Sequence, residues 1–414
     1  MRRGGANHRM DAGARDGEGS GCGRGGQAQS RSLYNAAVAQ RQITTTEDQS
    51  ATFIELFFDL VFVYAVTQTV SLLHEDLSWA GLWHAVVVFW LVWWAWTQYT
   101  WALNSADTTH PAVDAVMLVA TAIAFLMAVT IPDAFGDAGG WFAATYIAVR
   151  LVGLGLYGRV AWDDVAKRTA VRRFAILSLG GLGAVAAGGV VGGEEARAWW
   201  WAAAVLLDVA AAVGAGTAEG WDIRPEHFGE RHGLFVIIAL GESLIVAAAG
   251  LTGAERTAQT VAVAILAVAT TGGLWWSYFV GAKPALDHAL PQRSGADRST
   301  LARDVYSIWH FPLVFGVVLL AVAIEEAVTH PHEALPVGGS LALAGGVVLF
   351  VGSAAAALRQ SGYSLSGRRL VILAVVAAGV WVTHGAAVTW SLLVVALGLL
   401  LLAAVERPTP EARG

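Results

Sequence analysis

Two carboxylates stand four residues apart inside an otherwise apolar run, Phe53-Ile54-Glu55-Leu56-Phe57-Phe58-Asp59-Leu60-Val61-Phe62-Val63-Tyr64-Ala65-Val66-Thr67-Gln68. At helical spacing Glu55 and Asp59 share one face, about 6 Å apart along the axis. A charged side chain in hydrocarbon costs a few kcal/mol or more and is rarely found there without a partner or a purpose. Two like charges in a low dielectric do not both ionise without compensation, so the pair asks for a shared proton, a bound cation or an Arg partner. The first two are the chemistry of a proton or cation site, and the third is that of a structural anchor.

Other polar residues interrupt apolar runs further along. Arg150, Asp208 and Glu242, the last followed by Ser243, each fall about nine or ten residues into an expected helix, near mid-depth at about 1.5 Å per residue. The economical arrangement is a buried network in which Arg150 pairs with Asp208 or Glu242 and the spare carboxylate carries a proton. The plain alternative is an ion pair that only holds helices together. His310, in Ile308-Trp309-His310-Phe311-Pro312, adds a side chain that titrates near neutrality beside a proline that weakens the helix. Asn104, Asp107 and Asp114 gather between the second and third expected helices and read as a solvated loop. Zinc helices, nucleophile elbows, phosphate loops and paired CxxC motifs are absent, so no catalytic residue, cofactor or metal site is expected. The loop His330-Pro331-His332-Glu333 is too short a pattern to name a metal.

These residues must be positioned by membrane-length elements. Hydrophobic residues make up 56% of the 414-residue chain and charged residues 14%, against roughly 25% charged in soluble domains. Apolar stretches recur from 54 to 405 and do not alternate as barrel strands do, so the expected fold is an all-α, polytopic transmembrane bundle in contact with the lipid bilayer. Twelve helices are expected, over 53–74, 80–103, 113–131, 140–160, 172–192, 198–216, 232–251, 257–281, 304–325, 338–359, 368–384 and 387–405. The last two are separate spans only if Thr383-His384-Gly385 turns sharply.

Charge gives an orientation. With the N-terminus placed inside, 23 of the 26 Lys and Arg residues fall in inside segments, and only Arg197 and Arg256 lie outside, with Arg150 within a helix. The positive-inside rule then predicts an even number of spans in the plasma (inner) membrane, with both termini cytoplasmic. Residues 1–50, rich in Gly, Arg, Ser and Gln, are expected to be a disordered basic tail, and 407–414 a short C-terminal tail. No signal peptide is expected, because the first apolar run follows about fifty polar residues. The one cysteine, Cys22, leaves no internal disulfide.

Eighteen Trp residues are present. The cluster Trp93, Trp94, Trp96, Tyr99 and Trp101, and the run Trp199-Trp200-Trp201, read as interfacial belts, with an aromatic-lined cavity as the alternative for the first. A faint repeat runs through the chain: Gly233–Ser243 is again an apolar helix carrying a carboxylate, and Gly273-Leu274-Trp275-Trp276-Ser277-Tyr278 echoes the Trp-Trp run of helix 2. Halves of six helices, over 51–220 and 225–406, would share one orientation, as in parallel-repeat transporters.

The run Glu55–Val63 and the block Phe228-Gly229-Glu230-Arg231-His232-Gly233-Leu234-Phe235-Val236-Ile237-Ile238-Ala239-Leu240-Gly241-Glu242-Ser243 together resemble the signatures of the bacterial low temperature requirement protein A family. The likeness spans roughly 50–405 and implies a multi-pass inner-membrane protein. The family name refers to growth in the cold and not to a reaction. The matching positions are Glu55, Asp59, Glu230, Arg231, His232, Gly241, Glu242 and Ser243. Residues and resemblance together lead to a secondary transporter or channel-like protein for a proton or small solute. The alternatives are a scaffold or sensor linked to low-temperature stress and, further off, a lipid-modifying enzyme. Nothing points to nucleic acid, and no feature defines an oligomeric state.

Overall fold

The computed structural model describes residues 43–44, 49–216, 221, 223–253 and 257–405. Most of the expected tail over 1–50 and all of 407–414 lie outside the described residues. Twelve helices follow in order: α1 Phe53–Glu75, α2 Trp79–Leu103, α3 Pro111–Val129, α4 Gly139–Val160, α5 Val165–Val190, α6 Glu194–Gly216, α7 Pro225–Gly253, α8 Ala258–Ala289, α9 Gly295–Thr329, α10 Val337–Gln360, α11 Gly367–Thr383 and α12 Val388–Val405. Eleven are long and apolar enough to cross a membrane. The twelfth, α11, has 17 residues, at the short end of the roughly 17–25 that a span needs. The described residues contain no strand beyond one isolated bridge, Thr44 with Ala106.

The starts of α5 and α7 lie earlier than the apolar pattern suggests. Asp164 caps α5, its side chain accepting from the backbone N–H groups of Ala166 and Lys167. Pro225 opens α7 at the position where a helix needs no N–H. The polar stretch Glu226–His232 is therefore helical, and Arg231 and His232 lie within α7. α8 and α9 run on through π-helical turns, Ser277–Ala282 and Arg303–Ile308.

The neighbours of the first six helices recur in the second six. α1 packs on α2 and α3, α2 on α4 and α6, α3 on α4, α4 on α5, and α5 on α6; α7 packs on α8 and α9, α8 on α10 and α12, α9 on α10, α10 on α11, and α11 on α12. α1 and α7 meet in parallel, since Glu55 contacts Arg231 and Thr67 contacts Glu242 at offsets of 176 and 175 residues. This is the arrangement of two halves in one orientation. Small residues allow the closest crossings. A Cβ on Gly316 of α9 would stand 2.7 Å from the carbonyl oxygen of Gly346 on α10, and the reverse distance is also 2.7 Å.

Two expectations about polar surfaces are overturned. Trp93, Trp94, Trp96 and Tyr99 are buried among neighbouring helices and do not form a lipid-facing belt, because α2 is enclosed by α1, α4, α6, α7 and α9. Trp199 and Trp200 are exposed, whereas Trp201 is buried. Asn104 and Asp107 are also buried. The stretch before α1 covers them: Ile43 O accepts from Asp107 N at 2.6 Å, and Gln49 Oε1 accepts from the Thr108 hydroxyl at 3.0 Å.

Candidate functional site

α1 and α7 bring the first carboxylates and their counter-charge together. Arg231 donates from Nη1 to Glu55 Oε1 at 2.6 Å and from Nη2 to Asp59 Oδ1 at 2.5 Å, with Nε 3.3 Å from Asp59 Oδ2. Trp96 of α2 donates its indole N–H to Asp59 Oδ1 at 2.8 Å and lays its ring 5.7 Å from the guanidinium carbon. His227, one turn before Arg231, places Nε2 3.1 Å from Glu55 Oε1. Glu55 Oε2 also accepts from the Thr52 N–H at 2.9 Å, so one acid both caps α1 and holds the cluster. Glu55, Asp59, His227, Arg231 and Trp96 are all fully buried.

The His227 tautomer follows from its neighbours. Arg224 N donates to Asn104 Oδ1 at 2.7 Å, which fixes the amide so that Nδ2 faces His227 Nδ1 at 3.4 Å. Nδ1 therefore accepts, and Nε2 carries the proton toward Glu55. Two carboxylates then meet one guanidinium and one imidazole N–H. Arg224 is also held here, donating through Nε to the Asn104 carbonyl and through Nη2 to Leu103 O at 3.0 Å. Glu230, next to Arg231, points elsewhere and accepts from the backbone N–H of Ala51 at 3.0 Å.

Beside this cluster lies a pair of buried imidazoles. His232 donates from Nδ1 to Phe228 O at 2.8 Å, and its Nε2 has no partner among the described residues. His310 donates from Nδ1 to Val305 O at 2.8 Å, and its Nε2 accepts from the Tyr278 hydroxyl at 2.8 Å. The two rings are 5.5 Å apart, and His232 lies 5.0 Å from the ring of Trp96. Tyr278 and Val305 both belong to the π-helical turns. Such turns re-aim side chains and are frequent at functional sites.

The mid-membrane charges separate into two places. Arg150 pairs with Asp208 at 3.2 Å, donates to the Tyr146 hydroxyl at 2.5 Å and to Gln98 Oε1 at 2.5 Å, and so ties α4 to α6 and α2. Glu242 does not join them. It lies on the α1–α7 seam, where it accepts from the Thr67 hydroxyl at 2.8 Å, and no cation contacts it among the described residues. Another acid, Glu325 of α9, acts on it through space and stands 3.8 Å from His74 Nδ1. Ser243 is buried with its hydroxyl unpartnered, and Gly241 has open space where a Cβ would be.

The expected network is thus three sites: Glu55–Asp59–Arg231 with His227, Arg150–Asp208, and Glu242–Thr67, with the imidazole pair beside the first. Sequence reasoning missed His227, Gln98, Tyr146 and Tyr278, and gave Trp96 only as part of an interfacial belt or an aromatic cavity wall. His227 and Tyr146 left a signal, each four residues before the Arg it accompanies and therefore on its face; the others are reached across helices. On the loop between α9 and α10, His330 pairs with Glu326 at 3.5 Å and His332 with Gln259 at 3.1 Å.

Residues 50–404 match the family described as bacterial low temperature requirement A protein (LtrA). The uncharacterized protein RA0937 of Rhizobium meliloti (strain 1021) is 30% identical over 315 residues, covering 74% of this chain and 76% of its own. No solved structure matches. The two blocks that carry Glu55, Asp59 and Arg231 lie within the matched span, and the chain belongs to the bacterial low temperature requirement A family.

Proposed function

We propose that this protein is a secondary transporter or channel-like protein that moves a proton, or a small solute coupled to one, along the seam between its halves. It would lie in the bacterial plasma membrane with both termini cytoplasmic. The observation that carries this reading is Glu242, a buried carboxyl with one hydroxyl partner and no cation among the described residues. It can take up and release a proton without breaking an ion pair. His74 and Glu325 lead from Glu242 to the end of the bundle where α1 and α9 finish. Eleven residues of α7, about 16 Å, separate it from Arg231, and beyond His232 that interval is apolar, with Phe62, Val66, Phe235 and Ala239 in one core. A seam with an acid at each end and an apolar gap between them suits alternating access.

A second reading has its own support. Arg231 and Arg150 are both enclosed by acceptors, as expected of charges that only fix helix positions in a scaffold. The lipid-modifying alternative needs acids and His residues to converge in a cleft open to lipid. Two clefts along α2, one lined by Trp101, Asn104, Tyr157 and Lys167 and the other by Trp94, Thr97, Gln98 and Phe174, are lined by no His, Asp or Glu.

The test is proton flux into proteoliposomes carrying an internal pH dye, under an imposed pH gradient and in the presence of candidate solutes. Wild-type protein is expected to dissipate the gradient faster than protein-free vesicles. Glu242→Gln, which keeps an acceptor for Thr67, is expected to melt like the wild type and lose the flux. Wild-type flux no greater than that of empty vesicles, or full flux in Glu242→Gln, overturns the transport reading.

A further inference from the structure

The chain ahead of α1 lies across the end of the bundle where α1 and α7 begin. Its described residues are 43–44 and 49–52. The connection between α2 and α3 holds one end. Ile43 O accepts from Asp107 N at 2.6 Å, Thr44 pairs with Ala106 as an isolated antiparallel bridge, and Gln49 Oε1 accepts from the Thr108 hydroxyl at 3.0 Å. The other end is held by α7, where Glu230 Oε2 accepts from Ala51 N at 3.0 Å. The segment therefore joins the two halves, fastened to the first beside α2 and α3 and to the second by Glu230.

What lies beneath it is polar and buried. Asn104, Asp107, Thr108 and His227 are each 6% exposed or less. Asn104 contacts His227, and His227 contacts Glu55. The segment also ends on the ion cluster itself, because Thr52 donates to Glu55 Oε2 from its N–H at 2.9 Å and from its hydroxyl at 3.0 Å. The cover is lightly held. Among its described residues Ile43 is the one large apolar side chain, and it is only partly buried. Its other fastenings are hydrogen bonds at partly exposed positions, each worth little net of the water that it displaces. Segments held in this way open locally at a small part of the free energy of global unfolding.

We propose that this segment is a strap that seals the Glu55–Asp59–Arg231 cluster from water and opens when the Glu230–Ala51 hydrogen bond breaks. Opening carries Thr52 away from Glu55 and uncovers Asn104 and His227, so that one side of the Glu55 carboxylate meets solvent. Because the strap joins the halves, a shift of α7 against the connection between α2 and α3 loosens it, and the packed arrangement holds it shut. Glu230 is then a positioning residue for the cover and not a member of the ion cluster, although it adjoins Arg231 in sequence. The strap stands on its own contacts, and its use as a gate rests on the transport reading above.

Hydrogen exchange of the protein in lipid nanodiscs, resolved at the Thr52 amide, tests the strap. Thr52 is the decisive position because its own acceptor, Glu55, is left in place. Glu230→Ala is expected to speed its exchange about tenfold. Glu230→Gln, which keeps a neutral acceptor for Ala51, should fall between that variant and the wild type. Glu226→Gln, an exposed acid one turn earlier, should match the wild type. On a Cys22→Ser background, Thr44→Cys with Ala106→Cys puts thiols on a bridged pair, at a separation that a disulfide spans. The oxidised protein should exchange Thr52 more slowly than the same sample after reduction, which compares one folded protein with itself. In the proteoliposome assay, oxidation should lower the flux and reduction restore it. Unchanged Thr52 exchange in Glu230→Ala, or equal exchange in the oxidised and reduced protein, overturns the strap. Equal flux in those two states overturns its gating. Wild-type protein without flux overturns the transport reading, and with it the gating, but not the strap.

Discussion

Asp59 and Arg231 meet at 2.5 Å across 172 residues of chain, one from the first helix of the first half and the other from the first helix of the second. The contact sets the register of α1 against α7, and Thr67 and Glu242 meet further along with nearly the same offset. A buried ion pair is weak support for stability, because desolvating both charges offsets much of their attraction. Its clearest effect is to penalise other registers, since a slipped seam would strand two carboxylates.

Removing one partner should therefore cost far more than removing all three. Arg231→Met leaves Glu55 and Asp59 buried against each other and is expected to lose about 3–5 kcal/mol. Adding Glu55→Gln and Asp59→Asn to that variant should recover most of the loss. Melting of the purified protein in detergent, with its yield from membranes, checks this; a triple variant as unstable as the single one would contradict it.

The neighbourhood of Arg150 makes a sharper prediction from two glycines on the same helix. A Cβ on Gly153 would stand 2.7 Å from Gln98 Nε2 and 3.1 Å from a ring carbon of Tyr99, whereas Gly155 has nothing within 4 Å. Gln98 holds Arg150 through its amide oxygen and donates to the Arg150 carbonyl at 3.0 Å. Gly153→Ala is expected to destabilise by about 1–3 kcal/mol. Gly155→Ala should be neutral or stabilising, because alanine restricts the unfolded chain. Parallel melting curves separate them, and similar shifts in both would show that the Gln98 contact is unimportant.

The ion cluster was legible in part, for a physical reason. Glu55 and Asp59 stand out because acids are rare in apolar runs, and Arg150–Asp208 was one of two pairings open to the few mid-membrane charges. Arg231 was harder to place, because a run of charged residues reads as a loop, and the expected helix began only at His232. Here burial against α1 and α2 satisfies those charges and lets α7 continue through them. The Trp residues of α2 misled because a local pattern carries hydrophobicity and not the identity of the neighbour. Lipid and a packed helix select the same side chains, and only tertiary contacts distinguish them.

Orientation can be tested with introduced thiols. On a Cys22→Ser background, Ser294→Cys and Ala334→Cys place one thiol at each end of α9, both at exposed positions. The charge asymmetry predicts that Ala334→Cys reacts with a membrane-impermeant maleimide in intact cells and that Ser294→Cys reacts only after lysis. The reverse pattern would invert the topology and put His74 and Glu325 on the cytoplasmic side.

The last prediction concerns the π-helical turns. His310 Nε2 accepts from the Tyr278 hydroxyl at 2.8 Å, while Tyr306, stacked on the same imidazole with ring centroids 5.1 Å apart, reaches only Asp287, at 3.4 Å. Both tyrosines are buried, so their ring packing is similar and the hydroxyl partner differs. Tyr278→Phe strands a buried imidazole nitrogen, because Nδ1 is committed to Val305 O and the ring cannot turn without breaking that bond. The expected loss is about 1–3 kcal/mol, and Tyr306→Phe should lose less. The nitrogen NMR signal of His310 Nε2 should also move toward that of a free lone pair in Tyr278→Phe alone. Equal losses in the two variants, or an unchanged signal, would mean that the π turns position Tyr278 for packing and not for the imidazole.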